Sequence, residues 1–357
     1  MRHWNGVLGG IAAAFLLSGS AAAASIGSTI ADATEVGAAV QAVGADSFAG
    51  IKVAFPGGVT GYPDVTYATI AGYRPLKMDL FLPPATFAGP RPWVMYVHGG
   101  GWMGGGPRRS AAYADWPKTL AALAAQGYVV ATVSYRFARE APFPAAIQDV
   151  KAAIRWLKAN AKTYRLDPER GAIWGQSAGG HLAALAGVTC GVTALEPAAQ
   201  ARPTNRNVEV TAPAGTSGGA PSDCVQAVVA WFGIYEFPIA GAGQANDVMH
   251  LFLGCADKPC SAGQMKAASP ISYVDPRDPP FLLIHGSADT TVPVAQTEIF
   301  AKALQAAGVP VHKTIIPGAE HSWIGKSPEA TRDASRQALR ETIDFIDATI
   351  GDKAARH

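Results

Sequence analysis

The stretch that most constrains this chain is a turn, Trp174-Gly175-Gln176-Ser177-Ala178-Gly179-Gly180-His181. An apolar run, Gly171-Ala172-Ile173-Trp174, leads into it, and a helix-forming run, His181-Leu182-Ala183-Ala184-Leu185-Ala186, leaves it. The order is strand, tight turn, helix, with a serine at the tip. Gly-x-Ser-x-Gly in that setting is a nucleophile elbow. The backbone at Ser177 is expected to be strained. Gly175 and Gly179 let neighbouring segments pass where a β-carbon would clash. The N-terminus of the helix behind the serine favours developing negative charge. In a chain with 39 glycines the bare pattern arises easily by chance, so its weight comes from the flanking elements and from partners elsewhere.

The 357 residues are enough for one large α/β domain with a sizeable core. A formal charge of +2, with no block of like charge, points away from nucleic acid and acidic partners. The first residues carry the pattern of an export signal. Met1-Arg2-His3 supplies a positive start, Val7 to Leu17 an apolar core too short to span a bilayer comfortably, and Ala22-Ala23-Ala24 a small-residue cleavage site before Ser25. Residues 1–24 are therefore expected to be removed, leaving a secreted or periplasmic chain with no stable membrane anchor. In that setting the four cysteines are expected to be oxidised. Three pairings are possible, and local closure favours Cys190 with Cys224 and Cys255 with Cys260. No cysteine stands at metal-ligand spacing from a histidine, so no metal is assigned.

Residues 25–63 read as a leader and 64–350 as one domain. Val65 to Leu82 reads as a hairpin turning at Gly72-Tyr73-Arg74-Pro75. Strands are expected at Trp93 to Val97, Tyr128 to Tyr135, Gly171 to Trp174, Val225 to Phe232, Phe281 to His285 and Val311 to Ile316. Helices are expected at Trp116 to Gln126, Ala145 to Ala161, after Ser177, at Pro293 to Ala307 and at Glu329 to Ile350. Strands alternating with helices imply an α/β fold, a mostly parallel sheet with helices on both faces. Two irregular excursions interrupt it. Residues 191–223 leave a helix and enter a strand, which puts them at the amino-end face of the sheet. Residues 236–270 leave a strand at its carboxyl end, where ligands bind in open α/β sheets, and are expected to form a small lid insertion.

A serine alcohol needs a base to take its proton and donors to hold the resulting oxyanion. Of the eight histidines, His321 lies in Pro317-Gly318-Ala319-Glu320-His321-Ser322-Trp323, the loop straight after the last strand. That is the face on which Ser177 emerges. The carboxylate that orients an imidazole is assigned to Asp289, in the loop His285-Gly286-Ser287-Ala288-Asp289 after the preceding strand. Asp275 and Asp278 precede that strand and belong to the opposite face. Glu320 adjoins His321 and reaches its ring edge poorly. The glycine run His98-Gly99-Gly100-Gly101 offers backbone amides free of side chains. It lacks the lysine of a P-loop and the spacing of a dinucleotide loop. The amides of Gly100, Gly101 and Ala178 are expected to converge as an oxyanion hole. Trp102, Tyr235 and Trp323, each beside a motif, are assigned to the substrate pocket.

With these residues in place the chain resembles an α/β-hydrolase serine esterase over about residues 64–350. His98-Gly99-Gly100-Gly101-Trp102 is similar to the motif of hormone-sensitive-lipase-like carboxylesterases. Gly175-Gln176-Ser177-Ala178-Gly179-Gly180-His181, with Asp289 and His321, is closer to bacterial feruloyl and acetyl-xylan esterases. Gln176 stands where hormone-sensitive-lipase-like enzymes usually carry aspartate. The resemblance implies the α/β-hydrolase fold, no cofactor, and a small ester or esterified carbohydrate as substrate, with acetyl or feruloyl groups on plant-wall carbohydrate foremost. A general short-chain carboxylesterase or polyester hydrolase is the alternative. A peptidase of this fold usually carries a further large domain, and a non-catalytic binding module tends to lose a triad member.

Overall fold

The computed structural model of the protein describes residues 51–196, 221–237 and 245–352. The expected export signal over 1–24, the leader over 25–50, and parts of both excursions (197–220 and 238–244) lie outside the described residues.

Nine strands among these residues build one sheet. In chain order they are β1 (Val53–Phe55), β2 (Val59–Ala68), β3 (Leu76–Leu82), β4 (Arg91–Val97), β5 (Val129–Val133), β6 (Leu166–Gln176), β7 (Ala227–Trp231), β8 (Phe281–Gly286) and β9 (Val311–Ile316). Their spatial order is β1-β2-β3-β5-β4-β6-β7-β8-β9. Pairing is antiparallel from β1 to β3 and between β3 and β5, and parallel from β5 onward. The helices are α1 (Trp116–Ala124), α2 (Ala145–Ala159), the single turn α3 (Ala161–Tyr164), α4 (Ala178–Val188), α5 (Ala245–Leu253), α6 (Ala262–Ala268), α7 (Ala295–Ala306) and α8 (Pro328–Ile350). None of them is long and apolar enough to cross a membrane.

Strand composition explains the two-sided burial. β4, β5, β7 and β8 are buried at every position, as continuous apolar strands of a covered parallel sheet should be. One core lies under α2, α4 and α7, and includes Ile147, Val150, Ile154, Leu182, Phe300 and Leu304. The other lies under α1 and α8, and includes Trp116, Leu120, Trp174, Trp231, Ala338 and Ile346. The apolar stripe of α2, Ala146, Val150, Ala153, Ile154 and Leu157, is buried. Local signals set the helix starts. The Asp115 carboxylate caps α1 by accepting from the Lys118 amide, and the Ser327 hydroxyl caps α8 by accepting from the Ala330 amide.

One boundary is corrected. The leader expected to run to residue 63 instead joins the sheet from Val53, because β1 and β2 pair as Val53–Gly61 and Phe55–Val59, and β2 pairs on to β3 as Gly61–Phe81. Phe55-Pro56-Gly57-Gly58 carries turn chemistry and hides the alternation around it.

Each excursion is tied by a disulfide. Cys190 bonds Cys224 across the first, and Cys255 bonds Cys260 inside the second. Beside the first bridge, Asp223 accepts from the fully buried Lys151 Nζ at 2.7 Å and from Arg155 at 3.1 Å. Cys190, Cys224, Asp275 and Asp278 line one surface depression. It lies at the amino ends of β7 and β8, away from Ser177.

Candidate active site

The turn after β6 follows from two close approaches. A β-carbon on Gly175 would stand 2.1 Å from the Gly179 oxygen, and one on Gly179 would stand 2.1 Å from the Val97 oxygen. Only glycine lets β4, β6 and the start of α4 come this near. Ser177 itself holds φ 52°, ψ −122°, a conformation that costs an ordinary residue roughly 1–3 kcal/mol. Its amide donates to the Trp231 oxygen at 2.9 Å, pinning the elbow to β7.

The parallel register brings the other loops to the same rim. Val97 aligns with Gly175, Gln176 with Trp231, and Gly286 with Ile316. Asp289 leaves the carboxyl end of β8 and His321 that of β9. Their side chains meet Ser177. His321 Nε2 lies 3.0 Å from Ser177 Oγ, and His321 Nδ1 lies 2.7 Å from Asp289 Oδ2. A carboxylate at Nδ1 requires the proton there, which leaves the Nε2 lone pair facing the serine hydroxyl. The Phe232 ring packs edge-on against the imidazole at 4.6 Å.

Asp289 is buried, and burial alone would raise its pKa. Hydrogen bonds from His285, His321 and the Val292 amide outweigh this and hold it well below the usual carboxylate range. Oδ1 accepts from the Thr291 and Val292 amides at 2.9 and 2.8 Å. Oδ2 faces a second histidine, His285, at 3.3 Å. That ring is fully buried, with Nε2 also 2.9 Å from the Val292 oxygen and Nδ1 2.7 Å from Thr297 Oγ1. Two acceptors at Nε2 place the His285 proton there. In the sequence His285 is the last residue of an expected strand and belongs to no motif. Its spacing of four from Asp289 was the available signal.

Gly100, Gly101 and Ala178 line the pocket that holds Ser177 and His321. Among the described residues no backbone carbonyl accepts from their three amides. Ala178 opens α4, so its amide carries the positive end of that helix. Asp275 and Asp278 remain at the far face, and Glu320 is occupied by the Thr290 amide and hydroxyl at 3.2 Å.

The pocket has a volume of about 390 Å³. Its walls include Ile234, Val292 and Pro293, with Val248 and Met249 from α5. The second excursion thus forms one side of the site. Two aromatic assignments are corrected. Tyr235 is fully buried, with its ring stacked on Phe300 at 4.5 Å, beneath the loop rather than in the pocket. Trp323 is also fully buried. A left-handed backbone, φ 68°, turns it inward onto Phe232 and Trp231, with centroids 4.6 and 5.2 Å away. Trp102 does reach the pocket wall, but it is 1% exposed and lies flat on Phe252 at 4.3 Å.

The sheet order, the elbow and a serine, a histidine and a carboxylate linked at the carboxyl rim define an α/β-hydrolase. A family model described as BD-FAE matches residues 78–304. The chain belongs to that family. It is 31% identical over 297 residues to esterase LipQ of Mycobacterium tuberculosis (strain ATCC 25618 / H37Rv), covering 81% of this chain and 62% of the relative. It is 36% identical over 238 residues to esterase LipC of the same strain, covering 66% and 53%. The chain thus spans little more than half the length of these curated relatives. Among solved structures, a truncated form of carbohydrate esterase from gut microbiota superposes with a TM-score of 0.63 at 28% identity, over 81% of this chain and 95% of that one. Esterase Est2 of the planctomycete Thermogutta terrifontis shares the fold, with a TM-score of 0.60 at 23% identity over 82% and 92%.

Proposed function

We propose that this protein is a serine carboxylic-ester hydrolase that works through an acyl-enzyme. His321 Nε2 takes the Ser177 proton as Oγ bonds to the ester carbonyl carbon. The carbonyl oxygen becomes an oxyanion, received by the amides of Gly100, Gly101 and Ala178. His321 then gives its proton to the leaving alkoxide, and the carbon–oxygen bond to it breaks. Water, deprotonated by the same imidazole, attacks the acyl carbon and frees Ser177. Asp289 keeps the imidazole in the required tautomer and stabilises its cation. The observation that carries the reading is the unbroken chain Ser177 Oγ–His321–Asp289, at 3.0 and 2.7 Å, opening on the pocket.

The pocket walls favour a small, neutral acyl group. Among the described residues no carboxylate, lysine or arginine lines the pocket, and its apolar side is aliphatic. Trp102, on the wall, is engaged face-on by Phe252. This supports acetyl or another short acyl group over feruloyl. A carbohydrate esterase among the structural relatives supports a sugar as the alcohol side. The two disulfides support an oxidising, exported location.

The test is a substrate panel with purified protein and its Ser177→Ala variant. Nitrophenyl acetate and acetylated xylan are expected to be cleaved faster than methyl ferulate, and an organophosphonate is expected to label Ser177. Loss of both activity and labelling in Ser177→Ala is the expected result. Undiminished hydrolysis by that variant removes the assignment. Faster cleavage of methyl ferulate removes the acyl preference alone.

A further inference from the structure

The two glycine-rich motifs end in residues that the proposed reaction does not use, Trp102 and His181. In space they meet. Trp102 Nε1 donates to His181 Nδ1 at 3.1 Å, and His181 Nε2 lies 2.8 Å from the Ala268 oxygen at the end of α6. A carbonyl at Nε2 requires a proton there, and an indole N–H at Nδ1 requires a lone pair. One neutral tautomer satisfies both. The ring is fully buried, with Phe237 and Phe252 edge-on at 5.4 and 5.5 Å, and burial pushes its pKa down to about 4, despite the Ala268 contact.

The backbone beside Trp102 explains why such an anchor is needed. Gly100, Gly101 and Trp102 have φ of 120°, 59° and 55° in succession. Two of these are glycines. Tryptophan has no such tolerance, so the surroundings must hold it there. Its oxygen accepts from the Ala138 amide at 2.7 Å, and its ring lies on Phe252. The directional hold on the side chain is His181. From the other side, Val248 Cγ1 stands 3.2 Å from where a β-carbon on Gly101 would sit.

We infer that His181 is a positioning residue that holds the Gly100-Gly101-Trp102 turn in the shape that receives the oxyanion, the Ala268 oxygen fixing the tautomer that accepts from Trp102. It touches no reacting atom. It acts through Trp102, and the inference rests on the ester-hydrolase reading above.

Three variants separate the arms of this strut. Trp102→Phe keeps a ring on Phe252 and removes the indole N–H. His181→Gln reaches the Ala268 oxygen and gives up the acceptor facing Trp102. His181→Asn keeps an acceptor near Nδ1 and gives up Ala268. On nitrophenyl acetate, Trp102→Phe and His181→Gln are expected to lose about tenfold or more in kcat, with KM within about twofold, since removing an oxyanion donor outright costs 10²–10³. The same two variants should bind a trifluoromethyl ketone transition-state mimic more weakly by a similar factor. The double variant should be no worse than either single one, because both remove the same bond. His181→Asn should keep most of kcat. A purely structural role would lower the melting temperature and leave kcat per folded molecule unchanged. That outcome overturns the inference, as does full additivity in the double variant. If Ser177→Ala also remains active, the ester-hydrolase reading fails with it. If Ser177→Ala is dead while Trp102→Phe and His181→Gln keep wild-type kcat, only the strut fails.

Discussion

Asp289 receives two backbone amides on one oxygen and two imidazoles on the other. Among the described residues the neighbouring carboxylate, Glu320, is held by Thr290 and does not stand ready to replace it. Asp289→Asn should therefore have a sharp effect. An amide nitrogen at Oδ2 would face the N–H of His321, and relief comes by moving that proton to Nε2, where it faces Ser177 instead of accepting from it. The expected loss in kcat is about 10⁴-fold with KM little changed. Steady-state kinetics on a nitrophenyl ester checks this, and kcat within tenfold of wild type would refute the role. The three linked side chains were legible in the sequence because each follows a strand core, so chain order alone placed them on one rim. Tyr235 and Trp323 were misread for a related reason. Being next to a motif in sequence says nothing of which way a left-handed turn sends the side chain. His285 escaped notice because a histidine ending a buried strand reads as core until its contact with the carboxylate is seen.

At the scale of elements, the site depends on how closely β4, β6 and α4 approach. The sequence announced this through Gly175 and Gly179, and the 2.1 Å clearances give it a magnitude. Gly179→Ala must push α4 away from Val97, and is expected to destabilise the fold by about 3 kcal/mol while displacing Ser177. A useful contrast is Gly263, in α6, where an added β-carbon would find its nearest neighbour at 3.9 Å. Gly263→Ala should raise stability by about 0.5 kcal/mol, because alanine restricts the unfolded chain and favours helix. Denaturant melts of both variants check the pair, and equal effects would show that the clearances do not govern the cost. The part of α5 that walls the pocket was not legible. Val248 and Met249 are ordinary apolar residues in a helix, and only tertiary placement tells a residue facing a cavity from one facing a core.

For the whole molecule, the largest unspent leverage lies in buried imidazoles. His98 is 1% exposed, stacked on Tyr135 at 4.6 Å, with Nδ1 2.7 Å from the Gly99 oxygen. Burial pushes its pKa down to about 4, against the pull of that hydrogen bond, and Arg74 lowers it further. His181 is shifted to about the same value. An unfolded chain protonates its histidines near pH 6.5. Between that pH and about 4 the unfolded state binds protons that the folded state refuses, so stability falls as pH falls. Each such group contributes a slope of up to about 1.4 kcal/mol per pH unit. Above pH 6.5 both states are neutral and the slope vanishes. Below about 4 both are charged and it vanishes again. Asp278 opposes this, because burial lifts it to about 6 and its folded form takes up a proton in the same window. The raw curve therefore mixes signs, and the difference between variants isolates the imidazole. His98→Asn keeps a donor for the Gly99 oxygen and cannot titrate. Its stability, measured by urea melts from pH 8 to pH 4, should fall less steeply than that of the wild type between 6.5 and 4, and run parallel to it above 7. Parallel curves throughout would mean that the ring titrates in the fold as it does in the unfolded chain, and that burial does not hold the imidazole beneath the Gly100 and Gly101 turn in its neutral form.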